Sequence, residues 1–141
     1  AQILDLLVSL QKKLETSIIL ITHDLGVVAS SCSRVMIMYG GKMVEHGTTY
    51  EVFHHAKHPY TTGLLNSINN PDEDEAKKLV PIPGSPPDLL KPPAGCPFVD
   101  RCKKALRICK TTPPPRFNFS PSHFADCWLY YQPEQTAVKE A

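Results

Sequence analysis

The sequence predicts an α/β fold, in which helices pack on a mostly parallel sheet, followed by a Pro- and Cys-rich extension with mostly irregular structure. Three observations lead to this prediction. A helical apolar pattern at the start of the chain is followed directly by SIILIT, a continuous apolar run at residues 17–22. A second apolar run, RVMIMY, precedes a Gly-Gly pair and a further strand-like segment. All but one of the 14 prolines and all but one of the five cysteines lie in residues 71–141, so the two halves of the chain differ in composition.

The first elements should be a helix, a strand and a second, short helix. Apolar residues recur at helical spacing over residues 1–15 and predict an amphipathic helix. These residues are Ile3, Leu4, Leu7, Leu10 and Leu14. SIILIT (17–22) has the composition of a strand that is covered on both faces, as in parallel sheets. Asp24 has the side chain of a good N-cap, which predicts a short helix that ends at about Ser31.

Residues 34–47 predict an antiparallel hairpin. The segments RVMIMY at 34–39 and KMVEHG at 42–47 both read as strands. The Gly-Gly pair between them suits a two-residue turn, because such turns require backbone conformations that glycine adopts most easily.

Two helices should follow the hairpin. Thr48 and Glu51 have the spacing of a capping box, which predicts a helix that ends at about His55. Pro59 suits the first turn of another helix, which would reach about Asn69.

These patterns divide the chain into four segments. Residues 1–70 alternate apolar runs with polar turns and form the globular piece. Residues 71–93 are first charged and then Pro-rich, which predicts an extended linker along the surface. Residues 94–131 form a Cys-rich extension, and residues 132–141 are expected to be a disordered tail.

Composition and charge argue against several classes of protein. The formal net charge is +1 and the charges are mixed along the chain, so no nucleic-acid partner is expected. No apolar run approaches the roughly 20 residues that a membrane-spanning helix needs. The first segment lacks the basic start and the cleavage site of a signal peptide. Because the chain begins without methionine inside an amphipathic pattern, we expect a fragment of a longer protein.

The histidine after the first predicted strand is the main candidate for catalysis. His23 would lie at the C-terminal edge of the sheet, where α/β proteins bind ligands. An imidazole in that position can donate a hydrogen bond to a phosphate oxygen, and its charge can change near neutral pH. The alternative is a histidine that only ends the strand and binds nearby backbone groups.

The order of strand, histidine, short helix and hairpin resembles one protein family. SIILITHDLGVVASSCSRVMIMYGGKMVEHGT is similar to the H-loop region and following hairpin of ATP-binding-cassette (ABC) transporter ATPases. AQILDLLVSLQKKLE is similar to the helix after the D-loop of these proteins. TTYEVFHHAKHPYTTGLL and PGSPPDLLKPPAGCPFVDRCKKALRIC resemble the oligopeptide/dipeptide importer subfamily. The resemblance covers nearly the whole chain and implies the C-terminal part of a P-loop NTPase sheet with its helices.

The resemblance implies a function in peptide import. In this family two nucleotide-binding subunits bind ATP and Mg²⁺ between them, and hydrolysis drives the transmembrane permease subunits that move peptides. His23 stands where the family has its switch histidine and would contact the γ-phosphate of ATP. Thr22 and Asp24 would shape the loop without touching the nucleotide. The subunit would be a peripheral protein on the cytoplasmic face of the membrane.

Several motifs of the family are not found in this chain. It has no GxxxxGK[ST] phosphate loop, no signature glycine run and no strand that ends in Asp-Glu. Because one histidine cannot replace a phosphate cradle and a metal, we expect no ATPase activity from this chain alone. A sheet cut at this point would expose an edge beside residues 17–22 and an uncovered face on the first helix. We therefore expect the isolated chain to associate into a homo-oligomer.

The cysteines of the extension follow the pattern C-x5-C-x6-C-x17-C; this four-cysteine set is Cys96, Cys102, Cys109 and Cys127. Four thiols could ligate a [4Fe–4S] cluster, ligate zinc, or remain without a metal as disulfides or free thiols. The spacing is neither that of a ferredoxin nor that of a zinc ribbon. The cytosolic location that the resemblance implies argues against structural disulfides. Some members of the subfamily are interpreted as cluster-binding, which favours iron–sulfur and leaves zinc as the alternative.

The four-cysteine set also predicts the roles of its neighbours and an alternative function. His123 is expected to be a surface loop histidine, although it could substitute for a cysteine as a ligand. Basic residues would offset the charge of thiolates or be solvated; they are Arg101, Lys103, Lys104 and Arg107. Cys32 is expected to be buried by packing. The alternative function is a metal- or redox-responsive regulatory or interaction module of the same subunit.

Overall fold

The computed structural model describes residues 2–67 and 81–132, which contain helices and an antiparallel sheet. The α-helices are α1 (Gln2–Leu14), α2 (Leu25–Ser31), α3 (Thr49–His54) and α4 (Pro59–Leu65). The strands are β1 (Arg34–Tyr39), β2 (Lys42–Thr48), β3 (Arg116–Asn118) and β4 (Phe124–Asp126). Short 3₁₀ helices span Val99–Arg101, Arg107–Lys110 and Trp128–Tyr130. The α/β class is confirmed, but the expectation of a mostly parallel sheet is wrong for the described residues, whose strand pairs are all antiparallel.

The predicted hairpin is confirmed and forms one half of this sheet. β1 and β2 pair antiparallel, and Tyr39 stands opposite Lys42 at the turn. Gly40 and Gly41 have φ angles of 55° and 75°, the left-handed region that a type I′ turn requires and that glycine enters without steric cost. An irregularity after Ile37 shifts the register of the pair. Two consecutive residues of β2 are therefore buried, instead of alternate ones.

The first two predicted helices are confirmed. α1 covers 13 residues and carries Asp5 in its first turn, where a negative charge is favourable, and two lysines in its last turn. α2 begins after Asp24, whose side chain accepts a hydrogen bond from the N–H of Val27, and it ends at Ser31 as predicted. No helix in the described parts of the chain is both long enough and apolar enough to cross a bilayer.

The next two predicted helices are also confirmed, each with its local start signal. Thr48 and Glu51 form both hydrogen bonds of the capping box at the start of α3. α4 has Pro59 at its first turn and ends at Leu65. The predicted end at Asn69 lies outside the described residues.

The predicted strand at residues 17–22 is wrong in this structure. The segment has no regular structure, and 92% of Ile19 and 95% of Ile21 are accessible to solvent. A strand of a parallel sheet needs hydrogen-bonded neighbours at its edges and packed layers on both faces. The described residues form antiparallel pairs only, so they offer the segment no parallel neighbour.

The Cys-rich extension shares its sheet with the hairpin. β4 pairs with β2 and places Ala125 opposite Glu45, and β3 pairs with the outer edge of β4. The strand order is β1-β2-β4-β3. The extension, expected to be mostly irregular, therefore contributes two strands as well as its 3₁₀ helices.

A single cluster of buried residues joins the hairpin, α3 and the extension. Its members are Val35, Ile37, Tyr39, Val44, Val52, Cys96, Phe98, Val99 and Cys109. Phe98 packs edge-on against Tyr39 with 5.1 Å between ring centroids, and Tyr60 lies 5.3 Å from Phe98. Aromatic pairs in this geometry add stabilisation beyond the burial of their surface. The extension is thus packed onto the hairpin and is not a separate appendage.

The structure does not test the predicted segment boundaries. The division into residues 1–70, 71–93 and 94–131 stays a prediction. The described part of the linker, residues 81–93, forms no helix or strand, which agrees with its proline content. Apart from its first residue, the predicted tail at 132–141 lies outside the described residues.

Candidate functional site

His23 lies on an exposed bend between the irregular segment and α2. The Asp24 carboxylate accepts a hydrogen bond from the N–H of Val27 at 3.1 Å, and Thr22 Oγ1 accepts one from the N–H of Asp24 at 3.0 Å. Both flanking side chains are therefore engaged within the loop. The His23 side chain makes no hydrogen bond to the residues that the structure describes, so its ring nitrogens are open to a ligand.

The other end of α2 is attached to the start of α3. The N–H of Thr49 donates to the carbonyl of Ser33 at 3.0 Å, and Thr49 Oγ1 donates to the carbonyl of Cys32, the C-cap of α2. Cys32 itself is half-buried, so the expectation of a buried residue was too strong. Val28 on α2 packs against the core. The helix that begins beside His23 is therefore held both by the core and by α3.

The Glu51 carboxylate accepts hydrogen bonds from both halves of the protein. Its Oε2 accepts from the N–H and from the Oγ1 of Thr48, both at 2.8 Å. From the extension, Ser120 Oγ donates to Oε1 at 2.5 Å, and Ser122 Oγ lies 3.0 Å from Oε1 and 2.9 Å from Oε2. The Ser120 hydroxyl is the largest of the causes that lower the pKa of Glu51 from 4.5 to about 2. Thr48, Ser120, Ser122 and Glu51 are called the Glu51 cluster below.

A second contact between the two halves is buried. Glu45 on β2 is 0% accessible to solvent and His123 is 3% accessible. Glu45 Oε1 lies 2.8 Å from His123 Nε2. The same carboxylate accepts the N–H of Lys57 at 2.7 Å and the N–H of His58 at 2.9 Å. The expectation of a surface histidine at position 123 is wrong, because the pairing of β4 with β2 carries this residue into the interior.

His58 is the second buried histidine of this region. Its Nδ1 accepts a hydrogen bond from the N–H of Tyr60 at 3.1 Å and so caps α4. Burial lowers the pKa of His58 from 6.5 to about 4, against a smaller opposing effect of the nearby carboxylates Glu45 and Asp126. His58 is therefore neutral at neutral pH and serves as a hydrogen-bond acceptor.

The four-cysteine set is gathered in one region of the extension. The N–H of Cys96 donates to the carbonyl of Cys109 at 2.8 Å, which places these two residues side by side. Gly95 permits this approach, because a Cβ at that position would lie 2.1 Å from the Cys109 carbonyl oxygen. Cys96, Cys109 and Cys127 are buried, Cys102 is half-buried, and all four are free thiols.

The thiols influence one another but do not form a metal-binding group. The pKa values of Cys96, Cys102 and Cys127 are raised, that of Cys127 to about 11; burial is the largest cause, and the neighbouring cysteines contribute to the increase. This mutual effect requires that the thiols lie near one another. However, residues 2–67 and 81–132 contain no group of three or more His, Cys, Asp or Glu side chains that could hold a metal ion. The side-chain arrangement thus gives no support to the predicted iron–sulfur cluster or to zinc.

Arg101 does not have either of its expected roles. Its Nε donates to the carbonyl of Pro83 at 2.8 Å, and its Nη2 donates to the carbonyl of Ile82 at 2.7 Å. Its Nη1 lies 3.2 Å from the hydroxyl of Tyr39. The guanidinium therefore holds the Pro-rich segment against the hairpin, whereas the sequence suggested a solvated group or a counter-charge for thiolates.

Comparison with known proteins assigns the chain to a family. The family model described as "Oligopeptide/dipeptide transporter, C-terminal region" matches residues 44–109. The dipeptide transport ATP-binding protein DppD of Bacillus subtilis is 49% identical over 138 residues, which are 98% of this chain and 41% of that protein. The oligopeptide transport ATP-binding protein OppD of Salmonella typhimurium is 47% identical over 128 residues, which are 91% of this chain and 38% of that protein. The chain belongs to the oligopeptide/dipeptide family of ABC-transporter ATP-binding subunits. It corresponds to their C-terminal region.

The range that the family model matches contains some of the features described above and not others. The chain spans about two fifths of the length of these relatives, as the shares of 41% and 38% show. The matched range, 44–109, includes Glu45, Glu51 and all of the four-cysteine set except Cys127. His23 precedes that range, although the relatives align over more than nine tenths of the chain.

Sequence reasoning missed Glu45 as a structural centre of this ABC subunit. One signal was present: Glu45 lies in a strand segment with inward-facing apolar residues, and a carboxylate that is buried in such a segment rarely lacks a partner. The sequence could not name that partner, since His123 is 78 residues away. Gly95 was missed for the same reason, because the close approach of the Cys109 backbone is not visible in the sequence.

Proposed function

We propose that this chain forms the C-terminal part of the ATP-hydrolysing subunit of a peptide importer, and that its His23 contacts the γ-phosphate of ATP. The observation that carries the proposal is the position of His23 on an exposed bend directly before the capped helix α2. Its ring is open to a ligand, and the flanking carboxylate is occupied by capping. The names of the relatives, which are dipeptide and oligopeptide transport ATP-binding proteins, support the substrate class.

The role of His23 follows from the needs of phosphoryl transfer. Charge spreads over the oxygens of the transferred group, and the protein contributes mainly by positioning and by electrostatic stabilisation. A ring N–H of His23 would donate a hydrogen bond to a γ-phosphate oxygen and so fix the geometry around the attacking water. Mg²⁺, when bound with ATP in the whole protein, would neutralise phosphate charge. The chain carries no phosphate loop and no Asp-Glu strand end, so we propose that it hydrolyses no ATP by itself.

The partners follow from the same proposal. A second nucleotide-binding subunit would complete the ATP sites, and transmembrane permease subunits would receive the motion at the cytoplasmic face of the membrane. The isolated chain exposes Ile19, Ile21 and other apolar side chains of residues 17–22 and α1. We therefore propose that it forms a homo-oligomer when separated from these partners. A monodisperse monomer in light scattering at micromolar concentration would contradict this.

The test of the ATPase proposal uses the full-length subunit in its assembled importer. His23→Ala should lower kcat for ATP hydrolysis by about a hundredfold or more, because a pre-organised donor to the transition state is lost. ATP binding should remain, because the phosphate cradle is unchanged. His54→Ala is the matched control, since His54 lies exposed on α3 beside Tyr50. Equal activity of the two variants would refute the role of His23.

We also propose a second function, in which the four-cysteine set holds a metal centre and acts as a regulatory or interaction module. The support is the chemistry of the donor set: the extension holds four free thiols, three of them buried, and neighbouring cysteines contribute to the raised pKa of Cys96, Cys102 and Cys127. Four sulfur ligands suit a [4Fe–4S] cluster, and they also suit zinc. A bound metal would cross-link the loops of the extension, which is a common way to stabilise a small segment.

The metal proposal is tested by counting iron, sulfide and zinc in protein prepared without oxygen. About four irons per chain with a visible absorbance band would indicate the cluster, and about one zinc would indicate a structural site. Cys109→Ser should remove the metal in either case. Cys32→Ser should retain it, because Cys32 is the C-cap of α2 and lies outside the four-cysteine set. Metal-free protein with the native fold would refute this second function.

A further inference from the structure

The hydrogen bonds of the Glu51 cluster are the first part of a continuous path from the extension to α2, the helix beside His23. The path begins at Ser120 and Ser122, whose hydroxyls donate to the Glu51 carboxylate at 2.5 to 3.0 Å. These serines lie in a turn that is held by its own hydrogen bonds, because Ser120 Oγ accepts the N–H of Ser122 at 3.1 Å and the N–H of His123 at 3.0 Å. The turn is anchored in the interior by the contact of His123 with Glu45.

The path continues from Glu51 to α2 through the first turn of α3. Glu51 fixes the N-cap residue Thr48 from both its N–H and its hydroxyl. The next residue, Thr49, donates two hydrogen bonds to carbonyls at the C-terminal end of α2. α2 is only two turns long and begins directly after His23 and Asp24. A displacement of its C-terminal end is therefore passed to its N-cap.

Close packing supports the same path. A Cβ at Gly47 would lie 3.2 Å from the ring of His123 and 3.3 Å from the Cβ of Glu51. Gly47 has no Cβ, so the ring of His123 and the start of α3 can both lie close against β2 at this point. Close-packed groups transmit displacement instead of absorbing it.

We propose that Glu51 is a positioning residue, which transmits the placement of the extension's turn at residues 120–122 through α3 and α2 to His23. The inference rests on the proposed role of His23 in the ATPase reaction. It also assigns the extension a part in that reaction. Loss of the serine contacts would separate α3 from the extension, whereas the capping box at the start of α3 would remain intact. The ionised state of Glu51, favoured by its low pKa, strengthens each of these hydrogen bonds.

The test compares four variants of the full-length subunit in the assembled importer. Ser120→Ala with Ser122→Ala removes the serine donors to Glu51. Ser120→Thr with Ser122→Thr retains the hydroxyls and serves as the conservative variant. Thr111→Val with Thr112→Val is the matched control, because it also removes two hydroxyls from exposed positions of the extension. Within the described residues, these hydroxyls form hydrogen bonds to each other and to the Ile108 carbonyl. His23→Ala reports whether the histidine acts in the reaction at all.

The expected result is a fall in kcat of about fivefold for the serine-to-alanine variant, with KM for ATP unchanged. Hydrogen exchange of the α2 amides should become faster in that variant, whereas the threonine and valine variants should match the parent protein. A residue with a merely structural role would lower the amount of folded protein without this selective effect on kcat and α2.

Two contrary outcomes are distinguishable. If the serine-to-alanine variant keeps the parent kcat and α2 exchange while His23→Ala is inactive, Glu51 does not position His23 and this inference is overturned. If His23→Ala keeps full activity, the proposed function of His23 fails, and with it the step from α2 to catalysis. The exchange of α2 then still decides whether the extension is mechanically coupled to that helix.

Discussion

His123 Nε2 lies 2.8 Å from Oε1 of Glu45, and this contact joins the turn before β4 to strand β2 inside the protein. The accessible fractions of the two side chains are 3% and 0%. The backbone N–H groups of Lys57 and His58 donate two further hydrogen bonds to the same carboxylate. A buried carboxyl group is tolerated when hydrogen-bond donors satisfy its oxygens, as they do here.

Removal of this carboxylate should therefore destabilise the protein strongly. Glu45→Ala takes the partner away from a buried imidazole and the acceptor away from two backbone N–H groups, one of them buried, and we expect a loss of about 3–5 kcal/mol in the free energy of unfolding. Urea unfolding of the variant and the parent measures this difference.

A surface ion pair provides the control for Glu45. Arg116 Nε lies 3.0 Å from Asp126 Oδ1, and these side chains are 47% and 23% accessible. Because solvent screens such a pair, Asp126→Asn should change the free energy of unfolding by less than about 1 kcal/mol. Similar losses for the buried and the surface variants would show that burial of Glu45 does not matter.

The stability of the protein should decrease as the pH is lowered from 6.5 to about 4, because of His58. Its pKa is 6.5 in the unfolded chain and about 4 in the folded protein. The unfolded state therefore binds a proton first as the pH falls, so the stability present above pH 6.5 decreases towards pH 4. The decrease from this group alone should be about 3 kcal/mol.

A variant without the imidazole isolates this effect. His58→Asn keeps a side chain that caps helices but does not titrate. We expect its unfolding free energy to vary less between pH 6.5 and pH 4 than that of the parent. Parallel pH profiles for the two proteins would assign the decrease to other groups.

Substitution of Gly95 should disturb the packing around the cysteines. A Cβ at position 95 would lie 2.1 Å from the oxygen and 2.8 Å from the carbon of the Cys109 carbonyl. Backbone atoms cannot rotate away, so Gly95→Ala should destabilise by about 3 kcal/mol. Urea unfolding followed by the fluorescence of Trp128, the single tryptophan, would report on the extension directly.

The matched glycine for this experiment is Gly41. It has a φ angle of 75°, but a Cβ at position 41 would meet no neighbouring atom of the described residues within 4 Å. Because asparagine tolerates left-handed backbone, Gly41→Asn should cost less than about 1 kcal/mol. If both variants unfold alike, the contact with Cys109 is not what constrains Gly95.

Loss of the hydrogen bonds of the Arg101 guanidinium should release the Pro-rich segment from the hairpin. Arg101→Lys keeps the positive charge but cannot reach the carbonyls of Ile82 and Pro83 together with the Tyr39 hydroxyl. We expect faster chymotryptic cleavage at the exposed Leu89-Leu90 pair, because local opening governs such cleavage.

An exposed arginine serves as the control for Arg101. Arg107 is exposed in the 3₁₀ helix that contains Cys109, so Arg107→Lys should leave the rate of cleavage unchanged. Equal rates for the parent and the Arg101 variant would mean that the segment is held by its prolines and not by the guanidinium.

The elements that the sequence predicted correctly are those defined by near neighbours. The hairpin depends on Gly40 and Gly41, whose lack of a Cβ allows the turn whatever lies around it. The start of α3 depends on Thr48 and Glu51, three residues apart, which satisfy each other's backbone groups. The family resemblance was carried by such local patterns and was confirmed by the comparisons.

The sequence failed where the outcome depends on distant neighbours. Residues 17–22 have a strand-like composition, but a strand exists only when partner strands supply hydrogen bonds, and the described residues supply none to this segment. The sequence predicts a surface loop position for His123, and this is wrong. Only the pairing of β4 with β2 brings it to Glu45.

Local sequence patterns were sufficient for the α/β class, the hairpin, the helix caps, the family and the candidates His23 and the four-cysteine set. These follow from steric limits and hydrogen bonds that act over a few residues, or from whole motifs. The folded chain was needed to show that the extension shares a sheet and a core with the hairpin, and that Glu45 and Glu51 join the two halves. Those contacts link residues about 70 to 80 positions apart, and chain folding alone brings such residues together.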